Sequence, residues 1–247
     1  MYYYVVESVS GGVNSREIQR VKLLLGELGI LGEFALASPA RSVEELAVMG
    51  LEKGFTTIVA IGGGRTVNKV ASAIQGHAVA FGIIPLAKDS TLHTLTGTND
   101  IKSACEALKF RRLQAQNLLL IEPNKYLLTG ASVHFTKAYS IELDMGEFNV
   151  GGPTTDIYFT NGVQTRILNR FAGPNVIART YNWLTGRSVP TFAESIFHTP
   201  RVRLVTPANA PVIAENEIIA KTPIVVRVKH NALQLIVAKH KDSTVRN

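Results

Sequence analysis

The 247-residue chain has a single cysteine and a single tryptophan. A lone thiol, Cys105, excludes an internal disulfide framework and any zinc site built on cysteines. On a predicted helix face beside Ala104 and Leu108 it reads as a small buried apolar residue. Histidine offers no substitute: the six, at 77, 93, 134, 198, 230 and 240, include no pair at metal-ligand spacing. Long hydrophobic runs are missing too, since no apolar stretch approaches the roughly 20 residues needed to span a bilayer. The N-terminus has no basic region and no small-residue cleavage site, so Tyr2–Val6 is expected to be a first strand rather than a leader. The expected location is the cytoplasm, with peripheral attachment to a membrane as its variant.

Acidic residues are the minority charge, and the formal net charge is +7. The excess is concentrated after Arg201, where Lys and Arg clearly outnumber Glu215, Glu217 and Asp242. Such a surface suits anionic partners, whether phospholipid headgroups, a membrane surface or nucleotides. The plain alternative is a solvated face that keeps the protein in solution. Nucleic acid is not an expected partner, because no aromatic single-strand platform or zinc-finger spacing accompanies the charge.

What is present is a clear rhythm. Tyr2–Val6, Phe34–Ala37, Thr56–Ile61 and Val79–Ile84 read as strands. Between them Arg16–Leu28, the segment from Ser42 to Gly50, and Thr66–Ile74 carry helical spacing, with Ser42 and Glu45 forming a capping box. Helical patterning returns in Ser90–Leu95, with Asp89 or Ser90 as cap, and in Ile101–Leu108. This alternation predicts a parallel sheet with crossover helices. After Arg112 the pattern becomes mostly strand, with one helix around Gln164–Arg170 and a terminal hairpin turning at Lys229–Ala232. The expected organisation is an α/β domain over 1–112 and a mostly β, sandwich-like domain over 113–247. Trp183, next to Tyr181 but one, reads as satellite-core packing or a lipid contact. A C-terminal edge strand would suit a homodimer.

The most informative stretch is Ile61-Gly62-Gly63-Gly64-Arg65-Thr66-Val67-Asn68. A strand turning directly into a helix leaves amide donors unpaired at the helix start. Glycines allow a ligand to approach that backbone, and the helix dipole favours an anion there. A tight strand-to-helix connection without ligand is the plain alternative.

These residues resemble the diacylglycerol kinase catalytic-domain family, which includes bacterial lipid kinases and sphingosine kinases and is related to NAD kinases. The family's GGDGTVNEV reads here Gly62-Gly63-Gly64-Arg65-Thr66-Val67-Asn68-Lys69-Val70. Its PLGTxNDLA reads Pro85-Leu86-Ala87-Lys88-Asp89-Ser90-Thr91-Leu92-His93, and its first-loop NPxSG reads Glu7-Ser8-Val9-Ser10-Gly11. The DGE segment is echoed by Glu215-Asn216-Glu217, followed by Thr222-Pro223-Ile224 and Ala232–Val237. The resemblance implies ATP as cofactor and phosphoryl transfer to a lipid hydroxyl. It implies Ser10 and Gly11 flanking the nucleotide, Gly62, Gly63, Gly64, Thr66 and Asn68 around its phosphates, and Glu217 as general base.

Several motif positions depart from the family. Gly64 replaces the aspartate, Arg65 the next glycine and Lys69 the glutamate; Ala87 and Lys88 replace a glycine and a threonine, and Ser90-Thr91 the Asn-Asp pair. The family's GfDA aligns with Val133–Ala138, without its aspartate. Few oxygen ligands remain for Mg²⁺. Arg65 and Lys88 are cations able to hold an anion directly. Two expectations follow: a lipid kinase-like phosphotransferase, or a catalytically inactive relative that binds an anionic ligand, nucleotide or membrane surface.

Overall fold

The computed structural model describes residues 1–7, 15–86, 90–146, 148–170, 192–206 and 209–238. Two units divide the chain: Met1–Leu118, Tyr126–Thr129 and the chain from Lys229 onward form unit one, while Leu119–Lys125 and Gly130–Val228 form unit two. This division falls after Leu118, where the sequence suggests 112/113, and it splits the last strand between Val228 and Lys229.

Unit one alternates as its pattern requires: β1 (Tyr2–Val6), α1 (Ser15–Glu27), β2 (Gly32–Leu36), α2 (Val43–Glu52), β3 (Thr57–Gly62), α3 (Gly64–Ile74), β4 (Ala80–Pro85), α4 (Ser90–Thr96) and α5 (Ile101–Phe110). Strands β4-β3-β1-β2 are parallel neighbours, with Val6 level with both Leu36 and Ile61. Both faces of this sheet are covered. Tyr3, Val5, Ile58, Ala60, Phe81 and Ile83 pack with Leu46 and Ala47 of α2 and with Val67, Val70, Ala71 and Ile74 of α3. The alternate residues Tyr4, Val6, Val59, Ile61 and Ile84 pack with Val21 and Leu25 of α1 and with Ala104, Cys105 and Leu108 of α5. A strand buried on both faces reads as a continuous apolar run, which is how Thr57–Gly62 and Ala80–Pro85 appear in the sequence. The Ser42–Glu45 capping box forms at the start of α2, and Asp100 and Ser103 form a second at the start of α5.

The chain next forms β5 (Arg112–Ile121) and β6 (Lys125–Leu127), then β7 (Ala131–Asp144), β8 (Asn149–Phe159), β9 (Gln164–Arg170), β10 (Phe192–His198), β11 (Arg201–Val205), β12 (Pro211–Ala214), β13 (Glu217–Lys221) and β14 (Ile224–Val237). In unit two the order is β10-β9-β8-β7-β11 and then the first part of β14, antiparallel throughout. Strand β7 is the corner. Its first half pairs with β12 and its second half with β11, and the register against β8 shifts between His134 and Tyr139. Such a bulge lets one strand serve two differently directed parts of a sheet. Unit two is thus built on one hydrogen-bonded sheet, largely antiparallel.

Two expectations are corrected. Gln164–Arg170 is strand β9, because Thr165 and Ile167 are buried while Arg166 is exposed, a two-residue period. The hairpin at Lys229–Ala232 is a single strand: β14 pairs antiparallel with β11 at Ile224–Arg227 and parallel with β4 at Gln234–Leu235. The polar residues that resemble a turn lie where the strand changes partners. Asn231 has positive φ there (49°), and its amide donates to the Asn117 side chain at 3.0 Å.

The contact between β4 and α5 is tight. A methyl group on Gly82 would stand 2.4 Å from Leu108 Cδ2 and 3.0 Å from Val59 Cγ2. Gly82→Ala is expected to cost about 1–3 kcal/mol through overpacking, and Leu108→Ala about 2–5 kcal/mol through a cavity. In urea unfolding, the double variant is expected to lose less than the sum of the two singles. Strict additivity would show that the two positions do not share this space.

Candidate functional site

The glycine loop is positioned by strand burial. Every residue of β3 is buried, and Val6 and Ile61 lie level in the β1–β3 register. The Glu7 amide donates to the Ile61 carbonyl at 3.0 Å, and the Leu86 amide donates to the Gly62 carbonyl at 3.3 Å. These bonds hold the ends of β1 and β4 beside the loop. Helix α3 starts at once: Gly63 is its N-cap, extended at φ −91° and ψ −176°, and no side chain of its own caps the helix. Among the described residues, nothing lies within 4 Å of where a Cβ on Gly63 would stand. Gly62 is confined instead. A Cβ there would meet Glu7 Oε2 at 2.6 Å and Thr66 Oγ1 at 3.0 Å. Glu7 Oε2 accepts a hydrogen bond from the Gly63 amide at 3.1 Å.

The expected phosphate ligands separate into groups. Gly62, Gly63, Gly64 and Thr66 are together at the β3–α3 turn, with Gly64 and Thr66 buried. Arg65 is exposed on the first turn of α3. Asn68 is differently employed from the expectation. Its Oδ1 accepts the Leu128 amide at 2.8 Å and the Thr129 amide at 3.2 Å, and its Nδ2 donates to Thr129 Oγ1 at 2.9 Å. This buried carboxamide clasps the Tyr126–Thr129 segment to α3, a positioning role. Lys69 forms an ion pair with Glu44 at 3.6 Å. Ser10, Gly11, Lys88, Asp89, Tyr181, Trp183 and the segment 239–247 lie outside the described residues, as does the side chain of Ser90.

Glu217 belongs to unit two, where it opens β13 opposite Ala214. Glu215 and Asn216 both have positive φ (50° and 63°), the conformation of a tight type I′ hairpin turn. Glu217 is half-buried at the base of that turn.

Sequence reasoning missed a charged cluster in unit two. Asp156 is 4% exposed and lies opposite His134 in the β7–β8 register. Its Oδ1 accepts from His134 Nδ1 at 2.7 Å, and its Oδ2 accepts from Thr155 Oγ1 at 2.8 Å and from Arg170 Nε at 2.9 Å. Burial alone would raise the Asp156 carboxyl, but the His134 and Thr155 hydrogen bonds and the Arg170 charge hold it below the ordinary carboxylate value. No local motif reveals this cluster, because its members come from three strands. In unit one, burial pushes the Cys105 thiol up to about 12, in keeping with the inert apolar role expected of it.

A glycine-bordered helix start of this kind suits a phosphate once the Gly63 amide exchanges Glu7 for it. For Mg²⁺, the described residues include no group of three or more His, Cys, Asp or Glu placed to hold a metal. Among the described residues no helix is long and apolar enough to cross a membrane.

The family model of the diacylglycerol kinase catalytic domain matches residues 2–120, the span that holds this loop. Over those residues, a little under half of the chain, it matches the diacylglycerol kinase catalytic-domain family. No curated protein matches the sequence. Among solved structures, a diacylglycerol kinase from Bacillus anthracis str. Sterne shares 8% identity over 96% of each chain, with a TM-score of 0.71. A candidate diacylglycerol kinase from the same organism shares 9% identity over 96% of each chain, also with a TM-score of 0.71. At such identity these two show a common fold. The chain is accordingly diacylglycerol kinase-like, an α/β region followed by a largely antiparallel one.

Two outcomes are expected for the groups that hold the structure together. Asn68→Ala strands two backbone amides and is expected to cost about 1–3 kcal/mol in chemical denaturation. Asp156 has a depressed folded pKa, so its stabilisation is complete above the unfolded value of about 3.9 and is lost as pH falls through the lower folded value. The stability gap between wild type and Asp156→Asn should therefore be widest near neutrality and close below about pH 4. A pH-independent gap would count against the ionised network.

Proposed function

We propose that this diacylglycerol kinase-like chain binds the phosphates of ATP at the Gly62–Thr66 loop and transfers a phosphoryl group to a lipid hydroxyl. The observation that carries the reading is the loop: an N-cap glycine that no described residue crowds, at the end of a fully buried strand, inside the span matched by the family. Loop amides and the helix dipole would hold phosphate oxygens, and two cations, the exposed Arg65 and the nearby-in-sequence Lys88, would add charge. Ser10 and Gly11 would border the nucleotide. Asn68 would act from behind, by fixing the start of α3. Glu217 would accept the acceptor hydroxyl's proton while the oxygen attacks the γ-phosphorus and ADP leaves. Phosphoryl transfer depends mainly on positioning and charge stabilisation, so the base is the main chemical task left to a side chain. The basic surface would meet an anionic membrane carrying the lipid, with the protein otherwise cytoplasmic.

A second reading is favoured by one observation: Gly64 stands where the family has an aspartate, and no other described residues restore a metal-binding cluster. The chain would then be an inactive relative that keeps the anion site.

The test separates the two. Purified protein is incubated with ATP, with and without Mg²⁺, and with vesicles containing diacylglycerol and anionic phospholipid. Phosphorylated lipid is measured by mass spectrometry and ATP binding by calorimetry. The proposed activity gives phosphorylated lipid that falls by about 10²-fold or more in Glu217→Gln with nucleotide affinity unchanged. Binding of ATP without transfer would establish the second reading, and neither binding nor transfer would remove both.

A further inference from the structure

The glycine loop already holds an anion, and that anion belongs to the chain. Glu7 follows directly after β1, and its amide is tied to the Ile61 carbonyl at 3.0 Å, so its position beside Gly62 is set by the sheet. From there its carboxylate reaches the start of α3 and takes the Gly63 amide at 3.1 Å. Gly62 is what admits it: any Cβ there would stand 2.6 Å from the carboxylate oxygen and 3.0 Å from Glu7 Cβ. A negative group beside a helix N-terminus is favourable, and here it takes the N-cap residue's own amide, as the glutamate of a capping box does.

The same bond conflicts with a phosphate. An incoming phosphate oxygen that uses the Gly63 amide must displace Glu7 Oε2, and two anions sharing that space repel each other. The family motif aligned with this segment begins with asparagine, a neutral residue, where this chain has Glu7. We propose that Glu7 is a built-in competitor: the loop takes a nucleotide phosphate only when this carboxylate swings away or is neutralised by a cation. The inference rests on the nucleotide-binding reading above and adds its regulation. A nucleotide that arrives with a divalent cation brings the neutralising charge with it, so the cation should strengthen binding more in wild type than in a chain lacking the Glu7 charge.

The experiment is calorimetric titration of the full chain with ATP, with ATP and Mg²⁺, and with inorganic phosphate, on wild type, Glu7→Gln and Glu7→Ala. Glu7→Gln keeps the size and can still accept from the Gly63 amide, and thermal unfolding confirms that each variant is folded. Expected is at least about tenfold tighter binding of Mg²⁺-free ATP to Glu7→Gln than to wild type, and a smaller gain from Mg²⁺ in the variant. Binding by the variants with none by wild type supports the inference in its strongest form. Equal affinities in wild type and both variants overturn it and leave the nucleotide reading standing. Weaker binding in the variants also overturns it, since Glu7 would then assist the nucleotide. No binding by any of the three chains overturns both.

Discussion

Strand β3 has no exposed residue, and the arrangement of unit one follows from that constraint. Strand β3 has parallel neighbours on each side, and a parallel strand of this kind is covered by helices above and below. Its two sets of alternate side chains supply both layers. Its end is then equally constrained. Gly62 emerges between the ends of β1 and β4, where the Glu7 amide donates to the Ile61 carbonyl and the Leu86 amide to that of Gly62, and α3 begins within two residues. The geometry of the loop is a product of this burial, independent of what the loop binds.

The residues around the loop show one backbone geometry joined to altered side-chain chemistry. Gly64 occupies the family's aspartate position, while a different carboxylate, Glu7, enters from the neighbouring strand and contacts the adjacent amide. Asn68 illustrates the same separation. It retains a motif residue, but its carboxamide is used to bind the backbone of Leu128 and Thr129. A buried amide that satisfies two backbone donors is costly to replace, so structural need alone explains its presence.

In unit two the polar groups do comparable work. Asp156 is buried and ionised because His134, Thr155 and Arg170 surround it, joining β7, β8 and β9. This network lies beside the register shift of β7, where regular strand pairing is interrupted and side chains must supply the cross-links.

Local pattern was enough for much of the fold. The apolar runs of β3 and β4, the capping box at Ser42 and the Gly62–Gly64 turn all express short-range physics, and each could be recognised from neighbouring residues. Gln164–Arg170 was misread because a seven-residue segment holds too few repeats to separate a period of two from one of 3.6. Lys229–Ala232 was misread because polar residues that mark a turn in one context lie in another where a strand exchanges an antiparallel partner for a parallel one. What the sequence by itself determined is the alternation of elements, the helix starts and the glycine loop, all of which depend on residues close along the chain. Only tertiary structure decided that Asn68 faces residues 128 and 129, that Asp156 meets His134 and Arg170, and that Glu7 reaches Gly63. These contacts join segments up to 61 residues apart, and no spacing rule links them until the strands are paired.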